Sequence, residues 1–274
     1  MRIALAQIAG GPDKGANLRH MVALTGEAAR AGARLVVFPE CAMVHLPPGQ
    51  DLAPLAEPLD GPFVTALADA ARRDGIAVVA GLFEPAPGPD ARVLNTVVAL
   101  GPDGARLGEY RKIHLYDAFG YRESDRIRAG AGDTLLFALD GVTFGVETCY
   151  DVRFPELTRH LAARGAEVVL LPAAWVPGPL KDAHWEVLVR ARAIESTVYV
   201  AAAGMAAPLG AGSSMLVDPM GVAVVRAGEG ESLLAGDAEP ERLRAVRRAN
   251  PSLENARPDV YAGWVPMPAT PARS

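Results

Sequence analysis

Four apolar runs, each too short for a helix, constrain this chain most: RIALAQI (2–8), LVVFPE (35–40), IAVVAGLF (76–83) and EVVLLP (167–172). Short runs rich in β-branched residues and bounded by Gly or Pro read as buried strands. Helical periodicity fills the intervals. Residues 17–31 place Leu18, Met21, Val22 and Ala29 on one face, and Gly32 supplies a stop. Helices are also expected over 63–73, ending near Gly75, and over 155–164, ending at Gly165. A fourth, over 181–195, carries Trp185, Leu188, Ala191 and Ile194 at three-residue spacing. Two hairpins interrupt the alternation. GPDG joins VLNTVVAL to ARLGEYRK, and Asp140-Gly141 joins TLLFAL to VTFGVETC. Strands are expected again near 198–203, 213–217 and 222–226, with a turn at Asp218–Gly221. The Pro/Gly-rich EPAPGPDA segment is a surface loop, since strands resume on both sides.

This pattern predicts a layered α/β fold in one domain, a size that suits 274 residues. ARAGARLVVFPE (29–40) and AARGAEVVLLPA (162–173) align without gaps, setting Glu40 opposite Ala173. Two readings of that echo stay open: two similar halves facing each other with one keeping an acid, or the resemblance of any two helix–Gly–strand units.

Composition excludes several classes of function. Net charge is −5 and the hydrophobic share 50%, which leaves no basic footprint for nucleic acid or acidic membranes. No apolar run approaches the roughly 20 residues of a membrane span. Cys41 and Cys149 are too few for a disulfide framework, and Met1 leads straight into a strand without a signal sequence, so a cytoplasmic setting is expected. No H-E-x-x-H or Cys/His spacing marks a metal site, so no metal is expected. Lysine is rare (Lys14, Lys112 and Lys181 against many arginines), which singles out Lys112 at the end of EYRK.

Three chemically competent residues close their strands. Cys149 ends VTFGVETC and precedes a turn into a helix with Pro155 in its first turn, a junction expected to favour thiolate. Glu40 ends LVVFPE and Lys112 ends EYRK, where α/β folds gather their ligands. Singly, each has a plain alternative: a small buried hydrophobe, a solvated strand end, a surface charge. Together, thiol, carboxylate and ammonium point to hydrolysis of an amide-like bond.

FPE (38–40), YRKIHLYD (110–117), CYDVRFPEL (149–157), HWEVLVRARAIES (184–196), SMLVDPMG (214–221) and NARPDVY (255–261) together resemble the nitrilase superfamily of carbon–nitrogen hydrolases over nearly the whole chain. The CYD-x-RFPEL wording resembles the Nit branch, which includes omega-amidase and deaminated-glutathione amidase. The resemblance implies a four-layer αββα sandwich, with residues 1–257 as the hydrolase domain; the Pro-rich tail 258–274 is expected either to pack across a dimer partner or to be loose. The resemblance also implies a Glu40–Lys112–Cys149 triad with Glu123 as an accessory acid, no cofactor, a small-molecule amide substrate, and a homodimer or higher homo-oligomer. Tyr116, Tyr150, Arg153, Ala173 and Trp175 are expected to contact substrate. For Glu123 the alternative is an exposed loop acid; for Arg153, a brace on the turn through Asp151.

Three departures bear on substrate. The loop LYDAFGYRESD lacks the longer insert of omega-amidases, Ser196 stands where Asn is common, and Glu147 stands two residues before Cys149 where relatives carry a small or apolar side chain. On an extended strand Glu147 is expected to face the same side as the cysteine and tune the pocket charge, or to pair with an arginine. N-carbamoyl amines and nitriles remain alternative substrates, and a non-catalytic scaffold an alternative class.

Overall fold

A computed structural model describes residues 1–262. The chain runs through β1 (Arg2–Gln7), α1 (Lys14–Arg30), β2 (Leu35–Val37), α2 (Pro62–Asp74), β3 (Ala77–Pro85), β4 (Val93–Leu100) and β5 (Arg106–Arg111). A small hairpin, β6 (Asp117–Ala118) and β7 (Tyr121–Arg122), precedes the short β8 (Ile127–Arg128). The second half contains β9 (Leu135–Leu139), β10 (Val142–Val146), α3 (Pro155–Ala163), β11 (Val168–Ala173), α4 (Lys181–Ser196) and β12 (Tyr199–Gly204). It closes with β13 (Met215–Val217), β14 (Ala223–Arg226), β15 (Ser232–Asp237), α5 (Pro240–Ala249) and α6 (Pro258–Tyr261).

Two sheets form. One orders its strands β15-β1-β2-β3-β4-β5, with β8 alongside β4; the other runs β14-β13-β12-β11-β10-β9. Each has a parallel centre, β1-β2-β3 and β10-β11-β12, extended by antiparallel hairpins. The pleat sorts side chains by layer. Ile3, Leu5, Leu35 and Val37 share one core with Phe144, Val168 and Leu170 of the facing sheet. Their neighbours Ala4, Ala6 and Val36 join Met21 of α1 and Leu67 of α2 in a second core. The first core continues past the second sheet to Leu161 of α3 and Trp185 of α4. The result is the expected αββα sandwich, with the two echoed segments lying in opposite sheets. Buried Gln7 ties the layers together, donating to the Gly228 and Gly230 carbonyls at 2.8 and 2.5 Å and accepting from Ser214 N at 2.8 Å.

Both anticipated hairpins form, the second with Asp140 and Gly141 at positive φ (48° and 78°). On α4 the buried stripe differs from the expected one. Trp185, Val189, Arg192, Ala193 and Ser196 are buried, while Ile194 is 45% exposed. Three-residue steps drift around a helix of 3.6 residues per turn, so a stripe must mix threes and fours. Sequence reading also missed β15 and α5. β15 is only half-buried along most of its length, which blurs its period.

Candidate active site

Glu40, Lys112 and Glu123 follow strands of the first half, and Cys149 follows β10 of the second. Beyond β2 the chain turns at Glu40 and Cys41, with Cys41 at φ 57°. Gly81 of β3 permits this turn: a Cβ there would lie 2.9 Å from both Cys41 N and Pro39 O. Lys112 follows β5, and its backbone N–H donates to Asn95 O of β4 at 2.9 Å. Glu123 follows the β6–β7 hairpin, turned by Phe119 and Gly120 at positive φ.

Cys149 opens a 3-10 turn, Cys149–Arg153, that separates β10 from α3. Its φ of 47° is a strained value for a non-glycine residue. Buried Asp151 holds the turn. It accepts hydrogen bonds from Thr148 N (2.8 Å), Tyr110 Oη (2.7 Å) and His114 N (3.2 Å), and sits 2.7 Å from His114 Nδ1. Arg153 is not among its partners, so the expected brace through Asp151 is replaced by this network.

The charged groups converge. Lys112 Nζ lies 2.8 Å from Glu40 Oε1 and 2.8 and 3.1 Å from the two Glu123 oxygens. Asn95 Nδ2 donates to the same two acids, at 2.8 Å to Glu40 Oε1 and 3.2 Å to Glu123 Oε1. Ala174 N, just past β11, donates to Glu40 Oε2 at 2.8 Å, and Tyr116 N donates to Glu123 Oε2 at 2.6 Å. Cys149 lies close enough to Glu40 and Lys112 for each to act on the ionisation of its thiol. All four are buried, Lys112 to 2% exposure, so Glu123 is no exposed loop acid.

Their ionisation follows from these contacts. Burial pushes Glu40 upward, but the Lys112 charge, its hydrogen bond, and donors from Cys149 and Ala174 leave its pKa below the ordinary value. Burial opposes the Lys112 ammonium, yet Glu123 and Glu40 hold its pKa well above normal. Cys149 is raised well above an ordinary thiol by burial, with the Glu40 carboxylate adding to the effect and Lys112 opposing it. The expected thiolate is therefore corrected: desolvation and a neighbouring anion outweigh the junction, and the resting group is a thiol beside a carboxylate.

A cavity of about 510 Å³ opens onto these groups. Among its lining residues are Tyr116, Tyr150 and Trp175, together with the side chains of Val44, Leu52 and Phe83. Ala173 is fully buried at the end of β11, and the adjacent Ala174 lines the cavity. Arg153 does not line it; its guanidinium packs over the rings of Trp175, Phe119 and Tyr150. Cys41 lines the wall. Glu147 does not: it is fully buried behind the turn, accepting from Thr158 Oγ1 at 2.6 Å. The strand ends before it, at Val146, so alternation no longer sets its direction. Asn95 escaped sequence reading, although an amide inside the apolar run VLNTVV was a usable signal. Among the described residues, no cluster of His, Cys, Asp or Glu could hold a metal ion, and no helix is long and apolar enough to cross a membrane.

Comparison with known proteins identifies the class. The chain belongs to the carbon-nitrogen hydrolase family, which it matches over residues 2–248. It is 44% identical over 263 residues to Hydrolase Rv0480c of Mycobacterium tuberculosis, covering 90% of this chain and 92% of that one. To the deaminated glutathione amidase of Escherichia coli it is 39% identical, covering 88% and 91%. Among solved structures it resembles the amidase from Nesterenkonia sp. AN1, with a TM-score of 0.84 and 29% identity over 97% of this chain and 100% of that one. That amidase has been captured with acrylamide added to its active-site cysteine.

Proposed function

We propose that the protein hydrolyses a small amide to a carboxylic acid and ammonia, with Glu40, Lys112 and Cys149 as the catalytic triad. The observation that carries this reading is the thiol–carboxylate–ammonium chain buried at one end of the cavity. As the Cys149 sulfur attacks the amide carbon, Glu40 takes the thiol proton, so the thiolate exists only when it is used. The carbonyl oxygen becomes an oxyanion opposite the Lys112 ammonium and the Tyr150 N–H. Glu40 returns the proton to nitrogen, the C–N bond breaks, and ammonia leaves a Cys149 thioester. Water then loses a proton to Glu40 as it attacks the thioester; the C–S bond breaks, and the proton passes back to sulfur. Lys112 stays protonated throughout, consistent with its raised pKa. Glu123 and Asn95 position Lys112 and Glu40 through the bonds described above.

The same reading includes a homodimer. α4 turns Val187 and Ile194 outward, and Ile194 packs beside Gly221 next to exposed Met220 and Val222, an apolar face suited to a second copy. Sedimentation should give a dimer that Ile194→Lys dissociates; a monomeric wild type rejects it. The tail expected on the partner falls largely at 263–274, outside the described residues. A cytoplasmic setting fits two cysteines that are both free.

An ammonia-release screen over simple amides, N-carbamoyl amino acids and nitriles tests the activity, with Cys149→Ala as control. Amides should be turned over and the control should be inert. Turnover confined to carbamoyl compounds or nitriles, or full activity in Cys149→Ala, rejects the reading.

A further inference from the structure

Between Glu40 and α2 the chain runs as a strap along one wall of the cavity. One end is pinned: Met43 N donates to Gly81 O at 3.2 Å, His45 N donates to Gly11 O at 3.0 Å, and Asn17 Nδ2 donates to Met43 O at 3.1 Å. The other end is pinned where Glu57 N donates to Phe83 O at 2.9 Å. Between these points residues 44–52 form neither helix nor strand, Pro47 to Asp51 are exposed, and Leu46, Pro48 and Leu52 line the cavity. The middle is a tight turn. Pro48 and Gly49 hold its central positions, Gly49 has a φ of 85°, and Gln50 N reaches Pro47 O at 3.4 Å, as a proline followed by a positive-φ glycine favours.

A single guanidinium takes the carbonyls at both ends of this turn. Arg126 Nη1 donates to Pro47 O at 3.2 Å and to Gln50 O at 2.9 Å, and its Nη2 donates to Tyr121 Oη at 2.8 Å. Among the described residues, every other hydrogen bond made by residues 46–52 is to a residue within four positions in sequence. Arg126 lines the cavity and forms no ion pair among the described residues, whereas nearby Arg92 pairs with Asp90 at 2.7 Å. Its planar fork spans three acceptors on two segments, which a point charge cannot do. Arg126 also belongs to the turn that delivers Glu123. Its own N–H donates to Glu123 O at 3.0 Å, and Val93 N of β4 donates to its carbonyl at 3.0 Å. One side chain thus registers the strap against the turn whose carboxylate holds Lys112.

We infer that Arg126 is a positioning residue that clamps the 46–52 strap as a detachable wall of the substrate cavity, so that substrate is held tightly only while the clamp is closed. This rests on the amidase reading above and concerns the same site. With the clamp released, both ends of the strap stay pinned, and Leu46, Pro48 and Leu52 swing away from the bound acyl group. Glu40, Lys112 and Cys149 keep their own contacts. Binding therefore weakens more than the chemical step.

Arg126→Met tests the clamp by two routes. In kinetics on butyramide the variant should raise KM about 10-fold, the weight of a charged hydrogen bond, and lower kcat far less. An unchanged KM, or a loss confined to kcat, overturns the inference. Hydrogen–deuterium exchange needs no turnover. The protected amides of this stretch are those of Gln50, Ala53, Leu55 and Ala56. In Arg126→Met they should exchange about 10-fold faster while β3 and β4 keep wild-type rates. Unchanged exchange over 46–56, or an equal rise throughout both sheets, overturns the assignment. Should Arg126→Met fail to fold, Arg126→Lys carries the same test, because it keeps the charge and loses the fork. Its KM should rise about 3-fold, and a wild-type KM overturns the clamp. A wild type that releases no ammonia from butyramide rejects the amidase reading instead, and exchange alone then decides the clamp.

Discussion

At the residue scale the site is a matter of shared protons and shared charge. Glu40 and Glu123 are two buried acids on a single ammonium, and Asn95 Nδ2 lies between their Oε1 atoms. A hydrogen bond to a charged group contributes about 1.5–3 kcal/mol, so Asn95→Ala should lower kcat/KM by roughly 10–100-fold. The pH profile should move with it. The proposed base must be ionised, and its pKa lies below the ordinary carboxyl value of 4.5, so the acid limb of the wild type falls below that value. Removing a donor to the ionised form raises the pKa, and the limb should shift to higher pH in Asn95→Ala. An unchanged limb and plateau would show that Asn95 does not act on Glu40. The charged residues were legible in the sequence because each closes a strand within a distinctive motif. Asn95 and Arg126 were not, since one sits inside a strand and the other in a turn, and only packing brings them to the site.

At the scale of elements, what matters is how closely neighbouring segments pass. The turn carrying Glu40 crosses Gly81 of β3 so tightly that an added Cβ would stand 3.0 Å from Glu40 Cα and nearer still to the flanking backbone. Every atom it meets is main chain, so the Glu40 segment must move. Misplacement of about 1 Å can cost 100-fold in rate. Gly81→Ala should therefore retain its circular dichroism and cooperative unfolding while kcat falls by about 10–100-fold; wild-type kcat would mean the strand absorbs the methyl elsewhere. The strands, helices and hairpins of this region were readable from period and turn chemistry. The direction of Glu147 was not, because β10 ends at Val146, before the turn at Cys149 that the sequence anticipates. The preference of a turn over a continued strand is set by Asp151 and its partners Tyr110 and His114, which lie far away in sequence.

For the molecule as a whole, Glu147 couples stability to pH. Its carboxyl is fully buried between β10 and α3, with one oxygen on Thr158 and Oε1 without a partner. Burial lifts its pKa from 4.5 to about 7; the Thr158 hydrogen bond opposes the rise, Asp151 adds to it, and Arg192 of α4 opposes it. A carboxyl that holds its proton in the folded state but loses it in the unfolded chain favours folding at low pH. That contribution is fully present below about 4.5 and is lost as pH rises through about 7. At about 1.4 kcal/mol per pH unit between those values, the loss is of order 3 kcal/mol. Glu40 works in the opposite sense, since its lowered pKa gives stability that is lost on acidification. Glutamine at position 147 can still accept from Thr158 but cannot ionise. Thermal unfolding of Glu147→Gln and wild type across pH 5 to 8 should then diverge, the variant gaining on the wild type by roughly 5–10 °C at the alkaline end. A melting-temperature difference that stays constant over that range would mean that Glu147 does not change ionisation on folding, and that its buried carboxyl is held charged by contacts with α4.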